Sequence, residues 1–121
     1  MTEIQNSKPF DLEERTFQFA KRTALYVKQL PKGISNLEYG RQVVDASGSV
    51  GANYIEANEA LSKKDFVMRI KISRKEAKES AYWLRLIVET NDEMWKQEGK
   101  NLLNEALELK KIFSSILKRP K

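Results

Sequence analysis

The chain has 121 residues, a length typical of one domain that buries about two thirds of its extended-chain surface. It contains no cysteine and no histidine, which excludes a disulfide framework, a zinc-thiolate site, a Ser-His-Asp triad and most transition-metal sites. The net charge is +5, no apolar run approaches the ~20 residues of a membrane span, and the first residues lack the pattern of a secretion signal. We therefore expect a soluble, cytoplasmic protein that does not bind a membrane.

The first predicted helix follows a polar segment, residues 1–9, that we expect to be a disordered tail. Asp11 as N-cap and Glu14 at the third helical position match a capping box. Apolar residues then recur at three- and four-residue spacing until Pro31 ends the pattern. The sequence therefore predicts a helix over about 11–30.

The second predicted helix, about 37–61, contains the smallest side chains of the chain in its second half. A loop or a phosphate-binding turn is the alternative for this Ser-Gly-Ser-Val-Gly segment, but the Gly-Lys-Ser/Thr of a P-loop is missing. At 3.6 residues per turn, its apolar residues occupy two neighbouring faces instead of one. One face holds Val43, Ala46, Ser47, Val50, Tyr54, Ala57 and Leu61, and the other holds Val44, Gly48, Gly51, Ala52 and Ile55. We therefore expect two different partners to cover this helix, one of them at close backbone distance.

Two further helices complete the predicted fold. Ser62, with Asp65 three residues later, marks a helix start directly after the second helix, and such a short connection makes the two helices antiparallel neighbours. The third helix is predicted over 63–90 and the fourth over 98–118. Because no alternating strand pattern is present, residues 10–121 are predicted to form an all-α, antiparallel up-down-up-down four-helix bundle.

Three of the four predicted helices carry more apolar residues than the interior of one bundle can bury. Exposed apolar patches larger than a few hundred Å² usually mark an interface. The sequence therefore predicts a homo-oligomer. A monomer with some exposed apolar side chains is the alternative.

Positive charge is concentrated in two segments. Seven basic residues and two acidic residues lie between Lys63 and Lys78, and five basic residues but no acidic ones follow Glu108. In the predicted bundle, the start of the third helix and the end of the fourth lie at the same end, so the two segments converge there. Clustered lysine and arginine is typical of nucleic-acid binding, and without an evident aromatic platform the binding is expected to read phosphates more than sequence. The predicted binding residues are Lys63, Lys64, Lys71, Arg74, Lys75, Lys78, Lys110, Lys111, Lys118 and Arg119.

Three segments carry a resemblance to a known family: FDLEERTFQFA from Phe10, the pattern SxSVxANYIEAN from Ser47, and DFVMRIKISRKEAKESAYWLRL from Asp65. They resemble the four-helix-bundle proteins encoded in intervening sequences of bacterial 23S rRNA genes. The same fold is similar to the accessory protein of diversity-generating retroelements, which partners a reverse transcriptase. The resemblance implies a homopentamer and a possible polymerase partner, and it implies no assigned activity.

The family's motif positions map onto Ser49, Asn53, Glu56, Glu79 and Trp83. We interpret them as a structural polar network that fixes the register of the helices, since buried polar groups require partners.

The alternative is metal chemistry, with Glu56 and Glu59 as one carboxylate pair and Glu76 and Glu79 as another. Oxygen-only clusters suit Mg²⁺ or Mn²⁺, and all-helical nucleotide pyrophosphohydrolases have a similar arrangement. The second pair ends in Glu instead of Asp, however, and lysines adjoin it. We therefore predict no catalytic residue, no metal site and no cofactor. The predicted function is non-catalytic binding of structured RNA or DNA by an oligomer, and a purely structural or assembly protein is the competing possibility.

Overall fold

The described part of the chain, residues 11–119 of a computed structural model, forms four α-helices and one short 3-10 turn, without strands. α1 spans Leu12–Gln29, α2 spans Ile34–Asn58, α3 spans Lys63–Thr90 and α4 spans Lys96–Lys118, with the 3-10 turn at Glu93–Trp95. The tail predicted over residues 1–9 lies outside the described residues. None of the helices formed by residues 11–119 combines the length and the apolar character that crossing a bilayer requires.

The ends of the helices agree with the sequence where a capping side chain is present. Ser62 accepts a hydrogen bond from the backbone N–H of Asp65 at 3.0 Å, so this predicted cap is confirmed. Asp11 occupies the N-cap of α1 as predicted, but its side chain makes no capping hydrogen bond, so the predicted capping box is wrong. Only the position of the first helix start could be read from the pattern.

α2 lies three residues earlier in the chain than predicted, over Ile34–Asn58 instead of 37–61. Its last turn tightens because the backbone N–H groups of Glu59 and Ala60 bond to carbonyls three residues back. Leu61, predicted on the core face, is therefore in the connection and is 100% exposed. α4 begins at Lys96 instead of 98 because the 3-10 turn leads directly into it.

One hydrophobic core receives side chains from all four helices. Its largest fully buried members are Phe19 of α1, Val43 and Val50 of α2, Ile70, Leu84 and Ile87 of α3, and Leu102, Leu109 and Phe113 of α4. α3 packs closely on both α2 and α4, whereas α1 packs on α2 and only lightly on α4. The chain is therefore a single four-helix unit with α3 at its centre.

Two hydrogen bonds between α2 and α3 join residues whose numbers add up to 122 and 123. Arg69 donates to the side-chain oxygen of Asn53 at 3.0 Å, and Ser73 donates to the carbonyl oxygen of Val50 at 2.8 Å. α1 and α4 are joined in the same manner by two ion pairs, Arg15–Glu105 at 2.7 Å and Arg22–Glu98 at 3.2 Å. In both helix pairs, the contacts move backwards along one helix as they move forwards along the other.

A reciprocal amide pair connects the start of α2 to the end of α3. Asn36 donates to the side-chain oxygen of Asn91 at 2.9 Å, and Asn91 donates back to that of Asn36 at 2.8 Å. The same two amide groups also donate to backbone carbonyls, that of Pro31 at 2.8 Å and that of Ile87 at 2.9 Å. The α2–α3 pair is therefore fastened at the end opposite its short connection.

Two glycines of α2 have opposite surroundings. A Cβ atom added at Gly51 would lie 2.8 Å from the hydroxyl oxygen of Thr16 on α1, so the lack of a side chain allows the two helices to approach. A Cβ atom at Gly48 would meet nothing within 4 Å. Gly51 thus belongs to the packing of α1 on α2, and Gly48 faces outward.

Candidate nucleic-acid interface

The predicted binding residues are largely at the surface. On α3 and just beside it, Lys63, Lys64, Lys71, Lys75 and Lys78 are exposed and Arg74 is half-buried; on α4, Lys111, Lys118 and Arg119 are exposed and Lys110 is half-buried. Long basic side chains can lay their stems along the protein while the charge stays in water, so partial burial of Arg74 and Lys110 is compatible with binding.

The basic residues of α3 form a line along the helix. Lys64, Lys71, Lys75 and Lys78 are separated by seven, four and three residues, the spacing that keeps side chains on one side of a helix. The same spacing continues to two residues that the sequence analysis did not select, Tyr82 and Arg85, both exposed. We call these six residues the α3 stripe: Lys64, Lys71, Lys75, Lys78, Tyr82 and Arg85. It is about 32 Å long.

α4 places a second set of lysines beside this stripe. Val88 of α3 lies directly against Gly99 of α4, where an added Cβ atom would clash with it. Lys78 and Lys110 are each about ten residues from that contact, in the same direction along the bundle, so they lie at about the same height. The two basic segments are thus brought together along the side formed by α3 and α4.

Most of these cations have no acidic partner. Within residues 11–119, the structure pairs only two of the ten with a carboxylate, Lys75 with Glu76 at 3.6 Å and Lys111 with Glu108 at 3.7 Å. Exposed pairs of this kind hold their partners weakly, with typical free energies of about 0–1 kcal/mol. The positive charge of this side is therefore largely uncompensated from within the described residues.

The end of the bundle is less basic than the sequence analysis expected. Lys63, Lys64 and Arg119 lie there, but so do the start of α1 and the end of α2, which meet where Asn58 donates to Glu13 at 3.3 Å. These two helix ends contribute acidic residues: Asp11, Glu13, Glu14, Glu56 and Glu59. The sequence prediction considered only α3 and α4, and the acidic residues of α1 and α2 offset part of the positive charge at this end. The positive surface is a side of the bundle and not its end.

The predicted polar network forms only in part. The side chain of Asn53 donates to the carbonyl oxygen of Ser49 at 2.9 Å and accepts a hydrogen bond from Arg69 at 3.0 Å. Glu56 and Glu79 are exposed, and among the described residues neither side chain makes a hydrogen bond. Arg69, which the sequence analysis left out of the network, is therefore the partner of Asn53.

The two predicted carboxylate pairs, Glu56 with Glu59 on α2 and Glu76 with Glu79 on α3, lie far apart along the bundle. Since Ser73 lies opposite Val50, Glu56 and Glu79 are on opposite sides of that level, about 18 Å apart along the bundle.

Burial raises the pKa of Glu76, and the neighbouring Glu79 and Asp45 raise it further, whereas Lys75 lowers it. Across residues 11–119, no group of three or more acidic side chains is close enough to hold a metal ion.

Trp83 belongs to an aromatic cluster and not to a polar network. Its ring centre is 5.1 Å from that of Tyr82, edge to face, and 6.0 Å from that of Tyr39 on α2. Tyr82 is 58% exposed. No aromatic platform was evident in the sequence, and the structure places one exposed tyrosine, Tyr82, within the α3 stripe. The four-residue step from Lys78 could have revealed it.

The opposite side of the molecule, formed by α1 and α2, is apolar. Leu37, Val44, Gly48 and Ile55 are exposed and follow one another by seven, four and seven residues, so they form one line on α2. Phe17 of α1, which directly follows the Thr16 that lies against Gly51 of α2, is exposed as well. We call these five residues the apolar face. Val44, Gly48, Ala52 and Ile55 of the second predicted face of α2 are thus uncovered in the single chain, whereas Gly51 is covered by α1.

A groove of about 730 Å³ continues the apolar face to the connection between α1 and α2. Its walls include Val27, Pro31, Ile34, Leu37 and Val44. Ile34 is 85% exposed, which is unusual for so large an apolar side chain.

These features define an all-helical protein with one basic side and one apolar side. The chain belongs to the 23S rRNA-intervening sequence protein family, whose model matches residues 8–115, so the resemblance of its three segments is confirmed. The chain is also similar to a protein of unknown function from the S23 ribosomal protein family of Bacteroides thetaiotaomicron, whose crystal structure is known. The TM-score is 0.74 at 29% sequence identity, over 88% of this chain and 98% of that one. No curated protein matches the chain.

Proposed function

We propose that the protein is a non-catalytic, oligomeric binding protein whose α3–α4 side binds the phosphates of RNA or DNA. The observation that carries this proposal is the row of lysines on α3 and α4, of which only Lys75 and Lys111 have acidic partners within residues 11–119. Phosphates supply the missing counter-charge, and the release of condensed counterions from the nucleic acid favours their binding. The predicted ten residues act in this proposal together with Arg85.

The proposed assembly is a ring of antiparallel four-helix bundles, a homopentamer by the family resemblance. The contacts between early and late residues of neighbouring helices support the antiparallel order. The apolar face and the adjoining groove support the assembly, because covering them removes large apolar side chains from water at about 25 cal/mol per Å². Gly48 on this face allows another helix to approach closely.

The second candidate function is a purely structural or assembly protein, including a partner subunit of a polymerase such as a reverse transcriptase. The apolar face favours it, because an interface of this kind serves assembly whether or not nucleic acid is bound. The two candidates differ in what the α3–α4 side does.

Charge reversal on the two sides separates these candidates. In the first variant, Lys71, Lys75 and Lys78 are each replaced by Glu. In the matched control, Lys21, Lys28 and Lys32 are replaced by Glu, so that both lose the same six units of net charge at exposed positions. Since Lys28 and Lys32 line the groove beside the apolar face, sedimentation velocity compares the assembly of both variants with that of wild type. Fluorescence anisotropy with labelled RNA and DNA is measured over a salt series. We expect wild type and control to bind with an affinity that falls linearly with salt on a double logarithmic scale.

The α3 variant is expected to lose binding by about 100-fold or more, because three phosphate contacts become three repulsions. If the α3 variant and the control bind equally well, the basic side is not the binding surface. If the wild type itself binds neither RNA nor DNA at physiological salt, the protein is an assembly protein.

A further inference from the structure

An exposed aromatic side chain stands within the row of positive charges. Tyr82 follows Lys78 by four residues and precedes Arg85 by three, so the three side chains lie on one side of α3. The ring of Tyr82 is held edge to face by Trp83, and Trp83 is held in turn by Tyr39 of α2. More than half of Tyr82 is nevertheless open to solvent. The ring is therefore positioned from one side and available on another.

A small pocket lies next to this ring. It has a volume of about 290 Å³ and is lined by Tyr82, Arg85, Leu86 and Glu89. Tyr82 and Leu86 supply apolar walls, and Arg85 supplies a cation on the same side as the lysines of the α3 stripe. The pocket is at the lower limit of the size of ordinary ligand sites, about 300–1,000 Å³, and is suited to one flat ring system.

The charges around the pocket determine which part of a nucleotide enters it. The carboxylate of Glu89 repels a phosphate, whereas Arg85 and Lys78 attract one. A nucleotide bound here therefore keeps its phosphate on the side of the lysines and turns its uncharged base towards Tyr82. Base edges also offer N–H groups that a carboxylate accepts.

We propose that the pocket beside Tyr82 binds the base of an unpaired nucleotide, so that the α3 stripe recognises single-stranded nucleic acid in preference to an uninterrupted duplex. The inference rests on the proposed nucleic-acid binding and adds the ligand's strandedness to it. Bases inside a duplex are stacked on one another and cannot reach a side chain on the protein surface. Unpaired bases stack on aromatic side chains and on arginine, and each such contact strengthens binding by about 5- to 150-fold.

The test compares Tyr82→Ala with Tyr82→Phe on two probes of the same sequence, a single strand of about 12 nucleotides and its blunt duplex. Met94→Ala removes an exposed apolar side chain that lies outside the stripe and serves as the control. We expect wild type to prefer the single strand, Tyr82→Ala to weaken its binding by about 5- to 150-fold with little effect on the duplex, and Tyr82→Phe and Met94→Ala to bind normally. The selective loss distinguishes stacking from general damage to the fold.

A direct readout comes from the neighbouring tryptophan. The chain has two tryptophans, so Trp95→Phe leaves Trp83, which touches Tyr82, as the only one. Single-stranded probes are expected to change the fluorescence of Trp83, and Tyr82→Ala is expected to reduce that change at equal saturation of the protein.

The outcomes separate the two levels of the proposal. If the Lys71, Lys75 and Lys78 reversal abolishes binding but Tyr82→Ala binds the single strand like wild type, the base pocket is wrong and nucleic-acid binding stands. If Tyr82→Ala alters the oligomeric state, Tyr82 belongs to a contact between subunits, and the base pocket is again wrong. If no probe binds wild type, the proposed function itself fails.

Discussion

The two sides of this bundle differ in what they leave without a partner. On the α1–α2 side, Val44 and Ile55 present apolar surface to water, whereas on the α3–α4 side Lys71 and Lys78 have no acidic side-chain partner among residues 11–119. Both sides are made by helices that also bury a stripe in the same core. On both sides, each helix buries one face in the core and leaves another face exposed to solvent, where it is available for contacts with a partner.

Association through the apolar side and phosphate binding by the basic side differ in how they depend on salt. Apolar association excludes water and depends little on ordinary salt, whereas phosphate binding by lysine weakens steeply as salt rises. Under our proposals, one side joins copies of the chain and the other binds nucleic acid.

The largest expected effect comes from placing charge on the apolar face. Val44→Glu together with Ile55→Glu is expected to dissociate the assembly into subunits of 14.0 kDa, because a carboxylate without a partner in an apolar interface costs several kcal/mol. Met68→Glu with Leu107→Glu is the matched control, since these side chains are similarly exposed on α3 and α4. Sedimentation velocity measures both. Equal behaviour of the two double variants, or a wild type that is already monomeric, contradicts the assignment of the interface.

Gly51 and Gly48 of α2 distinguish packing within one subunit from packing between subunits. Gly51→Ala forces a methyl group against Thr16, a stiff β-branched residue, and is expected to lower the free energy of unfolding by about 1–3 kcal/mol. Gly48→Ala meets open space and is expected to raise it by up to about 1 kcal/mol, because alanine favours the helix. Urea unfolding in the dissociated Val44→Glu, Ile55→Glu background measures both.

In the assembled protein, Gly48→Ala is expected to weaken the association of subunits even though it stabilises each subunit. A Gly48→Ala variant that assembles more tightly than wild type would show that no neighbouring helix approaches there.

The smallest expected effect concerns Glu76, a half-buried acidic residue of α3 that is close enough to Asp45 of α2 to be affected by its charge. The raised pKa of Glu76 means that its carboxylate is less favourable in the folded than in the unfolded protein. Glu76→Gln is therefore expected to raise the free energy of unfolding at pH 7 by less than about 1 kcal/mol, and to raise the melting temperature with it. This gain in stability decreases as the pH falls below the raised pKa of Glu76 in the folded protein. It disappears below the usual value of 4.5, where wild-type Glu76 is protonated in both the folded and the unfolded state.

Glu38→Gln provides a control of opposite sign. Hydrogen bonds from Gln42 and Arg41 lower the pKa of Glu38, so its carboxylate favours the folded state above its usual pKa, and replacing it is expected to lower the melting temperature at pH 7. Thermal unfolding over a pH series measures both variants. A pH-independent difference for Glu76→Gln would show that its effect does not come from titration.

The helices themselves were predictable from local patterns, and their ends were predictable where a side chain caps them. Ser62 and Asp65 define the start of α3 in both sequence and structure. Leu61 was misassigned because apolar periodicity continues past the residue at which the backbone leaves the helix. The spacing of apolar residues predicts which side of a helix a residue occupies, but it does not predict the residue at which the helix ends.

The register between α2 and α3 also follows from the sequence, although the sequence analysis did not use it. A short connection between antiparallel helices makes opposed residue numbers add up to a constant, and Asn53 with Arg69 obeys this rule. The rule separates Glu56 from Glu79 and pairs Asn53 correctly. The exposure of Tyr82, in contrast, depends on how α2 and α4 cover α3, which no local pattern contains.

The reciprocal amide pair between Asn36 and Asn91 has a consequence for the alignment of the charges. Because the side chains of the α3 stripe recur at helical spacing, a shift of α3 along α2 by one turn leaves their arrangement nearly unchanged. The stripe therefore does not fix the register between α3 and α2. The amide pair at one end and the capped connection at Ser62 at the other do fix it, since each matches at a single offset. Two uncharged asparagines therefore hold the cations of α3 at a fixed position relative to α2.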